Sequence, residues 1–390
     1  MALAFPTTPD WAALVGQYQL HPGAQPGVTG QRPVLSDGRL RQLLRGQRGA
    51  AVVRMLGSLF SLCSHAHQRT AHLALTAALG QPQDLNSANP PVTLWLETAR
   101  DHLRSLALDW PQRLPESAAT APDLQWLRGC PLSLAGALAV TDEVAAWEQL
   151  KQLRVWLEEH ILGQSIKHWL EENKSPEALF IWCQIHAEHL PPARFLSLWH
   201  PFASRLQIPA RCLQLLHPEP DRQNCQLTAL AQSMQQVPNF MQAPTWHGQC
   251  AENGPWTRLR QSQHDEIVPQ NAWWRMSARW LELLTLAAAN PEDSAKTMLS
   301  SGALRLAQGQ ALGWCEMARG LLLHWVQVDA QGAVLDYRVL APTEWNFHPE
   351  GALAQAVAAM APTDLLPAAL LAAAFDPCVS CRVFGATVTL

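Results

Sequence analysis

Charge is scarce in this chain. Asp, Glu, Lys and Arg supply 15% of its 390 residues and the formal net charge is −4, so there is no strong field with which to grip phosphates or an anionic bilayer. Nucleic acid and membrane surfaces are therefore not expected partners. The opening stretch MALAFPTTPDWAALVG lacks a basic region followed by an uninterrupted apolar run, and no later stretch nears the roughly 20 apolar residues that span a bilayer. The expectation is a soluble, cytoplasmic protein. Tyrosine is nearly missing, with 2 against 17 tryptophans, and the tryptophans are scattered singly, as residues that pack helices rather than form a stacking surface. The 9 cysteines are odd in number and irregularly spaced, which argues for reduced thiols over a disulfide framework. No cysteine run of the kind that holds iron–sulfur clusters is present.

Apolar residues make up 48% of the chain, ample for a large core. Residues 1–35, rich in Pro, Gly and Gln, read as an irregular N-terminal arm, and 36–390 as one domain, mainly α with a small β element (α+β). From Gly49 to about Leu79, Val52, Leu56, Leu59, Phe60, Cys63 and His67 recur at three- and four-residue steps, which predicts one long helix with these side chains on one face. Helical patterns return near 139–171, 176–189, 192–206 and 272–287. The segments 82–91, 111–123 and 237–256 read as connections. Residues 321–328 and 333–340 flank Asp-Ala-Gln-Gly, which predicts a β-hairpin with its Gly in a left-handed turn position. An Ala/Leu-rich helix over about 351–374 then leads to the last cysteines.

Those cysteines sit in FDPCVSCRVFGATVTL. Cys378 and Cys381 are close wherever the chain turns, and thiolates suit zinc, iron or nickel. Two buried packing residues or a redox pair remain alternatives. Upstream, Cys63 and His67 are four positions apart, one helical turn, so they point the same way. Core packing explains that pair equally well. Together, Cys63, His67, Cys378 and Cys381 also match the ligand types of a zinc site.

Four ordered segments resemble the nickel-iron hydrogenase large subunits. Asp376, Pro377, Cys378 and Cys381 match the family's closing D-P-C-x-x-C. EMARGLLLHW, residues 316–325, resembles E-x-x-R-G-x-L-x-H-W; APTEWN, residues 341–346, resembles V-P-S/T-x-W-N; and SLFSLCSHAH, residues 58–67, resembles R-x-C-G-x-C-x-x-x-H. The resemblance implies a large-subunit-like fold. It also implies an iron atom carrying one carbon monoxide and two cyanides, with Arg319, Pro342 and Thr343 at the positions that bond the cyanides. A guanidinium and a hydroxyl are suitable donors to such negatively charged ligands. Without the resemblance, Arg319 reads as a structural ion pair with Glu316, and His324 as a core histidine.

The departures from the family matter as much. Phe60 stands where the first N-terminal cysteine, a nickel ligand, is expected, whereas Cys63 and Cys381 match the two bridging cysteines. The resemblance therefore implies iron on Cys63 and Cys381, Cys378 as a spare thiolate, His67 orienting the site, and no nickel. Phe384 replaces the closing histidine, so neither magnesium nor C-terminal trimming is expected there. The family's R-x-E-G-H segment has no evident counterpart before Cys63, so hydrogen turnover is not expected. A large-subunit-like chain with an impaired nickel site resembles the hydrogenase accessory proteins of the HupK/HoxV type. That implies a non-enzymatic maturation scaffold that receives the Fe(CN)2(CO) unit and passes it on. Its implied partners are a small chaperone of the HypC/HoxL kind, the complex that builds the iron unit and, transiently, the large-subunit precursor. A structural zinc protein, a metal-free assembly chaperone and a remodelled hydrogenase are the rival expectations.

Overall fold

The computed structural model describes residues 16–36, 38–81, 91–114, 122–140, 142–262, 268–290 and 299–385. Its helices surround one helix that is buried on nearly every side, Ala272–Ala288. Trp273, Trp274, Met276, Trp280, Leu283 and Leu284 are the apolar reason for that burial, and the Asn271 side chain starts the helix by accepting the Trp274 N–H at 2.8 Å. Against it pack the helices Val92–Arg104, Pro255–Ser262 and Leu365–Phe375.

A four-stranded antiparallel meander forms the second layer, with strands β3 (Ser301–Ala307), β4 (Gln310–Met317), β5 (Gly320–Val328) and β6 (Val334–Leu340) adjacent in chain order. The expected hairpin is its β5–β6 half, and Gly332 turns with φ 81°. The β3–β4 half was not anticipated. The helix Ser64–Ala78 lies across this sheet, and Gly313 permits the close approach, since a Cβ there would stand 2.6 Å from the Thr70 carbonyl oxygen.

Three expectations need correction. The long helix from Gly49 is two helices, Gly49–Leu59 and Ser64–Ala78, separated at Phe60, whose backbone leaves the helical region at φ −115°, ψ 59°. The two helices pack on each other so closely that a Cβ on Gly57 would meet Gln68 Nε2 at 2.1 Å; the chain doubles back here. The Ala/Leu-rich stretch is likewise two helices, Ala352–Ala358 and Leu365–Phe375, with Pro362 between them unable to continue the first. The arm expected to be irregular carries strands β1 (Gln17–Leu20) and β2 (Val28–Gln31). β1 pairs antiparallel with β2 and parallel with β7 (Ser380–Val383), giving the order β2–β1–β7. Thus the two ends of the chain share a sheet, and Tyr18 lies opposite Cys381. The expected loop at 82–91 lies almost wholly outside the described residues, as does 115–121 within the second loop.

Candidate metal centre

Cys63 occupies the break between the two packed helices, as the residue preceding Ser64–Ala78. A short 3-10 turn holds it: its N–H donates to the Phe60 carbonyl at 3.1 Å. The following helix begins with N–H groups that need acceptors, and Glu97 of the helix Val92–Arg104 supplies them. Its two carboxylate oxygens accept from the His65 N–H at 2.8 Å and the Ala66 N–H at 2.9 Å. Arg100, one turn further along, donates to the Leu62 carbonyl at 3.1 Å. One neighbouring helix therefore pins the loop on both sides of Cys63.

Cys378 arrives from the other end of the chain. Asp376 adopts a left-handed conformation, φ 42°, and is fixed by Ser105 and Arg113 at 2.8 Å each, with Arg279 at 3.3 Å and Arg319 at 3.5 Å. Burial would raise this carboxyl, but Arg279, Arg319 and Arg113 outweigh it and hold it well below the usual carboxylate range. Arg113 also donates to the Pro377 carbonyl at 3.1 Å. So anchored, Cys378 presents Sγ 3.4 Å from Thr343 Oγ1. Thr343 lies in the first turn of the helix Pro342–Asn346, which follows β6 directly.

Arg319 comes from the tight β4–β5 turn. Gly320 beside it, at φ 131°, leaves space in which a Cβ would strike Asn253 Oδ1 at 1.6 Å. Its guanidinium donates to Asp101 Oδ2 at 2.8 Å and to the Asp376 carbonyl at 3.1 Å. Asp101 and Asp376 are therefore its ionic partners; Glu316, the partner expected from sequence, sits instead 3.8 Å from Arg258.

The two thiols share one electrostatic environment. Burial pushes the Cys63 thiol far up, the charges of Cys378, Glu97 and Asp101 push further, and Arg319 opposes them. Arg319 stays firmly protonated, because Asp376, Asp101, Cys378 and Cys63 outweigh its burial. Arg32 likewise senses Cys378, Glu344, Tyr18 and Cys63. Cys381 differs: burial raises it to about 11, and Arg113 is the charge that acts on it. Cys378, expected to be the spare thiolate, is also the cysteine that Thr343 touches.

Phe60 and His67 line the same region, their rings stacked with centroids 3.9 Å apart. His67 Nδ1 lies 3.1 Å from His324 Nε2, and His324 Nδ1 lies 2.7 Å from the Tyr337 hydroxyl. Burial keeps both imidazoles neutral, His324 down to about 3. His324 is a core residue, as expected, and also His67's partner. Among the described residues no three His, Cys, Asp or Glu side chains converge as a ready-made metal site.

Sequence reasoning missed Glu97, Arg100, Asp101 and Arg32. The first three share a helix buried almost throughout, and the signal was their spacing: charges three and four positions apart form a stripe. Such stripes usually face water, and this one faces the cysteines' surroundings.

A family model described as nickel-dependent hydrogenase matches residues 270–384, which include Arg319, Pro342, Thr343, Cys378 and Cys381 but not Cys63 or His67. Over almost the whole chain, the hydrogenase expression/formation protein HoxV of Cupriavidus necator is 37% identical, the match covering 94% of each sequence. The chain belongs to the family of HoxV/HupK hydrogenase expression/formation proteins. HupK of Bradyrhizobium diazoefficiens is 27% identical over 87% of this chain and 88% of its own. Among solved structures, an NAD+-reducing NiFe hydrogenase in its H2-reduced state superposes with a TM-score of 0.51 at 13% identity, over 89% of this chain and 90% of that one. The HoxV/HupK chain thus has the α+β large-subunit fold expected from its motifs. Among its described residues no helix is long and apolar enough to cross a membrane.

Proposed function

We propose that this HoxV/HupK-family protein is a non-enzymatic scaffold in hydrogenase maturation. Its cargo is an iron atom that arrives with two cyanides and one carbonyl, is held on thiolates, and is passed to the apo large subunit. The observation that carries this reading is that one helix ties the two cysteine segments together: Arg100 holds the Leu62 carbonyl beside Cys63 at 3.1 Å, and Asp101 holds Arg319, which donates to the Asp376 carbonyl near Cys378 at 3.1 Å.

The donor set suits this cargo. A structural zinc ion draws four protein ligands, whereas an iron atom that brings three diatomic ligands needs few more. Phe60 puts a stacked ring where a further thiolate would serve nickel. The contact of Thr343 with Cys378 favours Cys63 and Cys378 as the sulfurs, with Cys381 the next candidate. Arg319 keeps further N–H donors of its fork for cyanide nitrogens, and Thr343 adds a hydroxyl; Pro342 starts the turn that presents it. His67 orients the wall from its place against Phe60.

Loading requires both thiols to lose their protons, since the thiolate is the metal ligand. The implied partners are a HypC/HoxL-type chaperone, the complex that makes the iron unit, and the large-subunit precursor. Native mass spectrometry of protein purified without oxygen from cells with the maturation machinery tests the reading. One iron with two cyanides and one carbonyl, and no nickel, is expected; iron without diatomic ligands, or nickel beside it, overturns it.

A further inference from the structure

Arg32 has no role in any motif above, yet it is buried at 6% exposure immediately after β2. Its guanidinium carbon stands 5.9 Å from the centre of the Phe60 ring, and its Nη1 lies 3.6 Å from Glu344 Oε1. Phe60 precedes Cys63 by one tight turn, and Glu344 follows Thr343, which touches Cys378. Arg32 therefore bridges the two cysteine-bearing segments.

What sets it apart is the length of its ion pair, since buried guanidinium nitrogens without a partner occur elsewhere as well, Arg258 Nη1 among them. Arg258, Arg275 and Arg319 are equally buried and hold carboxylates at 2.7, 2.7 and 2.8 Å. For Arg32 the only carboxylate within 4.0 Å among the described residues is Glu344, at 3.6 Å. Among the described residues neither Arg32 Nε nor Glu344 Oε1, both buried, has a hydrogen-bond partner, while Glu344 Oε2 accepts from the Tyr18 hydroxyl at 2.8 Å. A buried guanidinium with unused donors is costly unless something else meets it.

We propose that Arg32 is an anion-binding residue of the cysteine pocket, seating the negatively charged ligand shell of the iron unit from the N-terminal arm while Arg319 meets it from the β4–β5 turn. The identity of that ligand rests on the proposed function; the anion seat itself does not. Strands β1 and β2 then have a purpose beyond covering an edge. By pairing with β7 they bring Arg32 and the closing cysteine motif to the same place.

The test uses the full-length Arg32→Met and Arg32→Lys variants. In cells with the maturation machinery, Arg32→Met is expected to retain at least about tenfold less of the iron unit than wild type, the scale of a lost charge-assisted hydrogen bond, with Arg32→Lys intermediate. Metal-free Arg32→Met/Glu344→Gln, which removes both members of the pair, is expected to melt near the wild-type temperature, because no buried charge is left uncompensated. A merely structural arginine gives the opposite pattern, a lowered melting temperature with unchanged retention, and that result overturns the proposal. Should wild type carry no iron unit, the proposed function fails and thiocyanate decides on Arg32 alone. A shifted C≡N stretch of thiocyanate bound to metal-free wild type and lost in Arg32→Met supports the seat; the same spectrum for both overturns it.

Discussion

Two clusters of buried charge stand close together in this molecule and are built differently. Around Glu282 both carboxylate oxygens are held at short distance: Arg258 donates to them through two nitrogens at 2.7 and 2.8 Å, and His102 approaches at 2.7 Å. Nearby, Arg275 holds both oxygens of Glu252, at 2.8 and 2.7 Å. Around the cysteines the pairing is looser: the Arg32 ion pair with Glu344 is 3.6 Å long, and Cys378 Sγ has Thr343 Oγ1 at 3.4 Å. A closed cluster holds a fold together, whereas an open one waits for something to complete it. Breaking the first should cost stability, and breaking the second should cost cargo.

The largest expected effect is on the closed side. Glu282→Ala leaves Arg258 and His102 facing an empty site, and a loss of about 3–5 kcal/mol is expected in denaturant melts; a loss below about 1 kcal/mol would show the cluster to be less essential than its geometry says. Next comes acid. Burial raises the Glu282 carboxyl, but Arg258 and His102 outweigh it and bring it from 4.5 to about 2. Its folded value lies below its unfolded one, so its stabilisation is complete above about pH 4.5 and disappears as pH falls towards 2. That limb is worth about 3 kcal/mol, and Glu282→Gln should flatten it in pH-dependent melts; an unchanged limb assigns acid sensitivity elsewhere, with Asp376 first in line.

Tyr337→Phe is an intermediate case. It strips the hydroxyl from a buried His324 nitrogen at 2.7 Å, and about 1–3 kcal/mol is expected to be lost. Because His324 steadies His67, the variant should also loosen the pocket wall, seen as faster hydrogen exchange at the start of the helix Ser64–Ala78; no change there would detach the histidine pair from the site. The smallest stability effect belongs to the open cluster. Cys63→Ala and Cys378→Ala should each shift stability by only about 1 kcal/mol, while abolishing iron retention. Cys381→Ala should retain iron. A reversed result for the last two would restore Cys381 as the partner of Cys63.

The same contrast marks what the sequence could convey. The β5–β6 hairpin was legible because two short apolar runs flank a turn with its Gly at positive φ, all within a few residues. The helix Ala272–Ala288 was legible from its apolar period. The sheet β2–β1–β7 was not, because its strands are four residues long and β1 pairs with β7 from the far end of the chain. The break at Phe60 was hidden by an apolar period that continues through it; helix-on-helix packing at Gly57, a tertiary effect, sets it. In the candidate site, the cysteines, Arg319 and Thr343 were found through motifs. Arg32 and Glu97 sit in no motif, and only three-dimensional proximity gives them meaning. The Thr343 contact also moved the emphasis from Cys381 to Cys378, a distinction residue spacing does not make.

The most direct measurement is infrared spectroscopy on protein purified without oxygen from cells that make the iron unit, because bound cyanide and carbon monoxide absorb where polypeptide does not. Two cyanide bands and one carbonyl band are expected from wild type, vanishing in both Cys63→Ala and Cys378→Ala. Bands that survive both substitutions would contradict the pocket as the place where iron is held.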